Sequence, residues 1–307
     1  MSEALALQTE LEGADISDDA SASFPNQLRT LLANWRLMLG LGAVAAGLAM
    51  MFAGPLVVHW DPLAQDLPSR LKPGFWDSHG ATGHPFGTDS FGRDELSRLL
   101  YGARFSMSVA VVGVLASGVI GTALALCSGY WSGWPEQLIM RAVDLQQALP
   151  PVLLALLIVA LYGNSISNLI IVLGLTGWAS YTRVLFSQTR ILRSAEFVTA
   201  ARALGARPSR ILIRHVLPSL MPELFVLSSL QVGRNLLLAT GLSFLGLGVP
   251  IPLPEWGSML AEGQRVIYIA PWLTTIPGLT ITLAVLAFNL LGDGLRRMVD
   301  PRAQALA

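Results

Sequence analysis

Arg234 makes the sharpest chemical claim in this chain. It stands in an apolar run that starts near Pro218 or Pro222 and ends around residues 241–248. It falls about 12 residues after Pro222, or about 18 Å along a helix. An arginine that deep in a bilayer is costly. It either faces a solute pathway or is buried against a carboxylate, Asp144 or an acid of a partner chain. Arg141 and Asp144 lie one helical turn apart. That spacing suits a local ion pair worth about 0.5 kcal/mol, or a gate at the inner end of a helix. Asp77, His79 and His84 are residue types that hold divalent metals, but their stretch reads as a solvated loop and no metal site is assigned. Cys127 sits among apolar residues, where a thiol packs rather than reacts. No nucleophile, base and acid form a recognisable set, so the chain is not read as an enzyme.

Composition narrows the class further. Of 307 residues, 53% are hydrophobic and 13% are charged, and the mean hydropathy is +0.56. Soluble domains carry about 25% charged residues, which excludes a water-soluble globular enzyme. The 20 basic and 20 acidic residues cancel, which argues against nucleic acid as a partner. Lys72 is the only lysine, and it precedes Pro73-Gly74 rather than ending a Gly-rich turn. A phosphate loop is therefore excluded, and no cofactor is assigned to this chain. One cysteine excludes an internal disulfide and a cysteine metal cluster.

What remains is an all-α, polytopic membrane protein. A spanning helix needs about 20 apolar residues. Apolar runs place six transmembrane helices at about 37–59, 105–130, 141–162, 165–185, 220–243 and 269–291, with Gly163-Asn164 dividing the third from the fourth and the fifth carrying Arg234. The first run is too long for a cleavable signal, and Glu3, Glu10, Glu12, Asp15, Asp18 and Asp19 precede it where a signal has basic residues. Residues 1–28 read as a disordered acidic tail, leaving 29–303 as the membrane domain. With the N-terminus inside, thirteen arginines, among them Arg183, Arg190 and Arg193, face the cytoplasm, against six basic residues on the other side. Both termini are therefore cytoplasmic. The large loops, about 61–104 and 246–265, face outward.

Two stretches carry local signatures. Gly113, Ser117, Gly121, Ala125 and Gly129 recur every fourth residue, a small-residue stripe that lets helix backbones approach closely in lipid. Between the fourth and fifth spans, residues 194–218 are not loop-like. Ser194 suits the cap of a short helix over 195–204, and Gly205 suits a left-handed stop. Pro208-Ser209 suits the start of a second short helix that Pro218 closes. Phe197, Ala200, Ala201 and Leu204 share one apolar face of the first, which fits a membrane surface or a partner's groove.

Here the sequence resembles a known family. Thr199-Ala200-Ala201, three residues, Gly205, nine residues and His215-Val216-Leu217-Pro218 resemble the EAA loop of ABC-importer permeases. Phe86-Gly87-Thr88-Asp89 through Gly92-Arg93-Asp94, Ser97-Arg98 and Gly102-Ala103-Arg104 resemble the stretch before the second helix of the dipeptide, oligopeptide and nickel permeases. Met140-Arg141 with Asp144 and Pro150, Leu242 to Gly248 with Glu255-Trp256-Gly257, and Phe288 to Arg296 with Asp300-Pro301-Arg302 extend the likeness over about residues 30–303, in the C-type half of that family. The resemblance implies a type I ABC importer transmembrane domain in a bacterial inner membrane, surrounded by lipid. It implies a second, homologous permease, two ABC ATPase subunits that hold ATP and Mg, and an extracytoplasmic binding protein. It implies import of di- or oligopeptides, with nickel or another small solute as the alternative cargo. Thr199, Ala200, Ala201, Gly205, Leu217 and Pro218 become the ATPase-coupling residues, while Arg234, Arg141 and Asp144 remain the pathway or gate candidates. A stand-alone secondary transporter, the rival class, requires an inverted repeat and intramembrane acids. The sequence shows no such repeat and few such acids.

Overall fold

Most of the long helices begin where the sequence supplies a cap or a proline. The computed structural model describes residues 34–78, 80, 83–250 and 252–299. The acidic tail, His79 and Asp300-Pro301-Arg302 lie outside the described residues. Helix α1 (Trp35–Val57) follows Asn34, whose side chain accepts from the Leu37 N–H. Helix α2 (Glu95–Tyr130) follows Asp94, which accepts from the Ser97 N–H. Helix α3 (Trp134–Ala148) has Pro135 in its first turn, and α4 (Pro151–Tyr162) starts on a proline. Helix α5 (Ile166–Arg193) is capped by Ser165, and α6 (Glu196–Ala203) is the short helix after it. Helix α7 runs over Pro208–Phe244. Helix α8 (Trp256–Gln264) and α9 (Trp272–Val299) complete the α-helices of the described residues. Side-chain oxygens at Asn34, Asp94 and Ser165 take up N–H groups that no carbonyl of the helix reaches.

Among the described residues, five helices are long and apolar enough to cross a membrane: α1, α2, α5, α7 and α9. They become six if α3 and α4 are counted as one broken span. The third span, expected as one helix over 141–162, is instead two helices bent by 89°. The cause lies in Pro150-Pro151. A residue before proline is pushed out of the helical region, and both Leu149 (ψ 131°) and Pro150 (ψ 125°) are extended. Helix α2 starts ten residues earlier than the apolar run, at Glu95, because Asp94 caps it outside that run.

The segment 194–218 also departs from expectation in two places. Ser194 does not cap α6. Helix α5 runs through to Arg193, Ser194 ends it with its N–H on the Ile191 and Leu192 carbonyls, and Ala195 precedes α6. Pro218 closes nothing either. A π turn over Leu212–Val216 joins the short helix to the span, with the Leu217 N–H bonded to the Leu212 carbonyl. Proline tolerates that position because a wider turn accommodates its missing N–H.

The core forms where α2 lies along α5. Ser117 and Ala125 are fully buried, and Gly121 is packed so closely that a Cβ there would come within 2.5 Å of Tyr181 Cβ and 2.6 Å of the Trp178 carbonyl. The Thr182 hydroxyl crosses the seam to donate to the Gly121 carbonyl at 3.1 Å. Around this pair, α7 packs on α2 and α5, α9 on α7, and α1 on α9. Trp256 of α8, 1% exposed, is wedged against α2 and donates its Nε1–H to the Leu99 carbonyl at 2.9 Å.

Candidate functional site

Two places hold the sequence candidates, and a third was not foreseen. The first is α6 and the turn after it. Helix α6 is seated by Val198, which is fully buried, and by Ala201, which packs on the same core. Ala200 and Leu204 (88% exposed) point away from the chain, and Phe197 (43% exposed) lies beside His215 with ring centroids 6.4 Å apart. Thr199 is exposed on the same short helix. Gly205 follows with φ +80°, a region that L side chains enter only with strain. A Cβ at Gly205 would meet nothing within 4 Å. Backbone conformation, not space, makes this a glycine position. Leu217 and Pro218 stand at the head of the spanning part of α7, with Pro218 exposed.

The second place is the face of α7 that carries Arg234. Val232, Gly233, Asn235 and Leu236 turn inward and are buried, while Arg234 and Leu237 turn outward. Arg234 borders two cavities of about 520 and 480 Å³, which share Ser180, Gln231, Arg234 and Leu237. The bend before Pro151 helps to frame this space, since Gln147 lines the first cavity while Pro151 and Val152 line the second. Arg234 has no ion-pair or hydrogen-bond partner among the described residues. The expected pair with Asp144 is absent because Asp144 is engaged by Arg183 of α5. That same bond replaces the local Arg141–Asp144 pair. Both members stay largely solvated, at 42% and 59% side-chain exposure, and Arg141 is exposed on α3 without a partner among the described residues. The structure thus brings Arg183 and Arg234 to one cavity and leaves Arg141 outside its lining.

The third place lies at the opposite end of the fold from α6. Asp89 accepts from Arg93 Nε at 2.6 Å and from Arg98, and Glu262 of α8 accepts from Arg93 at 2.9 Å and from Arg98 at 2.8 Å. Arg98 is 1% exposed and Asp89 3%. Asp94 caps α2 with one oxygen and holds His84 Nδ1 at 3.0 Å with the other. His84 stacks on Trp60, so its ring is committed to packing. Among the described residues, no group of three metal-ligating side chains forms. Glu255 accepts from the Ser106 hydroxyl at 3.1 Å and from the Ser258 N–H at 3.0 Å. Burial pushes its carboxyl above the usual carboxylate range, against the lowering effect of the Gly257 and Ser258 N–H groups. Sequence reading assigned none of these acids a role. The available signal was the density of Asp89, Arg93, Asp94, Glu95 and Arg98 next to an apolar run, where surplus charge must be paired internally.

Known proteins place this geometry. A computed match to a solved chain, "Inward facing conformations of the MetNI methionine ABC transporter", has a TM-score of 0.55 at 16% identity, covering 66% of this chain and 96% of that one. The fold is that of a type I ABC importer transmembrane domain. The glutathione transport system permease protein GsiD of Pectobacterium atrosepticum is 38% identical over 269 residues, covering 86% of this chain and 88% of the relative. The dipeptide transport system permease protein DppC of Alkalihalophilus pseudofirmus is 41% identical over 222 residues, covering 72% and 73%. Residues 118–305 match the family model described as "Binding-protein-dependent transport system inner membrane component". The match takes in α5, the turn at Gly205 and the whole of α7, and with the two permease relatives it shows that the chain belongs to that family of inner membrane components.

Proposed function

We propose that this chain is the transmembrane permease subunit of an ATP-driven importer of short peptides. A binding protein delivers cargo to the side of residues 58–94 and 250–271. Two ATPase subunits, which carry the ATP and Mg, dock on the side of α6, and a second, homologous permease completes the pore. Both termini lie in the cytoplasm, where thirteen of the basic residues fall. Relatives whose names specify glutathione and dipeptides support a peptide cargo.

The observation that carries this reading is the outward apolar face of α6. Ala200, Leu204 and the exposed part of Phe197 protrude beyond the spans on a helix that Val198 anchors from behind. An apolar face presented this way fits a groove on a partner. Thr199 and Ala200 then face the ATPase, Ala201, expected on the same face, instead seats the helix from behind, Gly205 aims it, and Leu217 and Pro218 join it to α7. Arg234 lines the path, and Arg141 with Asp144 stands at its inner mouth.

The test is a pair of substitutions at Gly205, where no neighbour obstructs a side chain. Gly205→Val places a β-branched residue at φ +80°. The left-handed strain is about 1–2 kcal/mol, a factor of about 5–30 in an equilibrium. Gly205→Asn tolerates that conformation better. The valine variant is expected at normal membrane abundance with ATPase co-purification and peptide uptake reduced by about that factor, and the asparagine variant in between. Full uptake and full ATPase binding in Gly205→Val would refute the coupling role.

A further inference from the structure

We propose that the cargo passing Arg234 is anionic: short acidic peptides, one carboxylate of which pairs with the Arg234 guanidinium in transit. This rests on the transport reading above and adds the charge of the substrate to it. Four features of the cavity pair carry the inference. Neither cavity is lined by any aspartate or glutamate, whereas Arg183 and Arg234 both line the first. The charge of Arg183 is matched by Asp144. That of Arg234 is matched by nothing among the described residues, so the space carries one net positive charge. The other polar groups that line it are neutral: amides such as Gln147, Asn235 and Asn289, and hydroxyls such as Ser180 and Tyr181.

An unpaired guanidinium attracts a carboxylate and repels an ammonium group at close range. Its planar fork meets two carboxylate oxygens at once. Arg234 also stands where the two cavities meet, open on both sides, rather than against a closed contact surface. One unmatched cation, not a cluster, suits a station that a solute must leave again. A dedicated tight-binding site would add a second charge.

The experiment uses the complete importer, purified with this chain in place and reconstituted in proteoliposomes with its binding protein. Uptake of Ala-Glu-Ala, Ala-Gln-Ala and Ala-Lys-Ala is measured with the binding protein saturated by each peptide, so that delivery is equal. The readout is the ratio of Ala-Glu-Ala to Ala-Lys-Ala uptake. The wild-type ratio is expected to be about tenfold or more, since like charges at close range are strongly disfavoured. Arg234→Gln brings the ratio toward one, Arg234→Glu inverts it, and Arg234→Lys keeps it above one. A ratio that is the same in wild type, Arg234→Gln and Arg234→Glu overturns the proposal while leaving peptide import intact. Loss of the second permease from the Arg234→Gln and Arg234→Glu complexes also overturns it, because Arg234 is then a structural partner of that subunit. Absence of uptake of all three peptides by the wild-type complex removes the peptide-import reading itself.

Discussion

Two groups of arginine in this chain meet opposite fates. At the end of the fold that carries α8, Arg93 and Arg98 are locked between Asp89 and Glu262, with side chains 4% and 2% exposed. On α7, Arg234 is left open beside two cavities with no carboxylate in their linings. The first arrangement costs desolvation on both sides and recovers it through geometry, which makes sense only where the charges stay put. The second leaves a charge available, which makes sense only where something else supplies the counter-charge. The matched group fits a scaffold, and the unmatched charge fits the path proposed above for Arg234.

The largest effect is expected from breaking the matched group. Arg98→Leu removes one of the two arginines that bridge Asp89 and Glu262 and leaves Arg93 alone to balance both carboxylates, at about 3–5 kcal/mol. Folded protein in the membrane should fall sharply, and a normal melting temperature in detergent would show that the cluster is not structural. A smaller but clear loss is expected at the helix seam. Gly121→Leu drives a side chain into Tyr181 and the Trp178 carbonyl, and overpacking of this kind costs about 1–3 kcal/mol. Thermal stability should drop with no change in cargo preference, whereas a selective transport defect at wild-type stability would place the stripe on the path. The smallest effect belongs to the solvated Arg183–Asp144 pair. Asp144→Asn should cost only about 0.2–1 kcal/mol. A melting shift as large as that of Arg98→Leu would mean that burial does not set the worth of a matched arginine in this chain.

How much of this the sequence could reveal depended on whether a feature is local. The stripe from Gly113 to Gly129 was legible because an α-helix brings every fourth residue back to nearly the same face. Gly205 was legible because a left-handed stop after a short helix favours glycine. The third span was misread although its cause was printed in the chain. Charge-free length was counted across Pro150-Pro151, and local backbone sterics outweighed hydropathy there. Glu262 was illegible for a different reason. It meets Arg93 and Arg98 across separations of 169 and 164 residues, a pairing set by tertiary packing alone. The same holds for Arg183 and Asp144, 39 residues apart, where a partner on another helix displaced the obvious one a turn away.

The contact between α1 and α9 bears on the order in which this protein is made. Helix α1 has only 17% of its most apolar stretch buried, against 50% for α5. Much of what holds α1 comes from α9: a Cβ at Gly40 would come within 2.5 Å of the Leu291 nitrogen, and one at Gly294 within 2.7 Å of Leu37 Cα. Asn34 also reaches the Gly294 carbonyl at 3.3 Å. A ribosome emits these two surfaces more than 240 residues apart, or at least about 12 seconds at bacterial elongation rates. Through that interval α1 stands in lipid with α9 not yet synthesised, so this part of the tertiary fold closes only after α9 has been made.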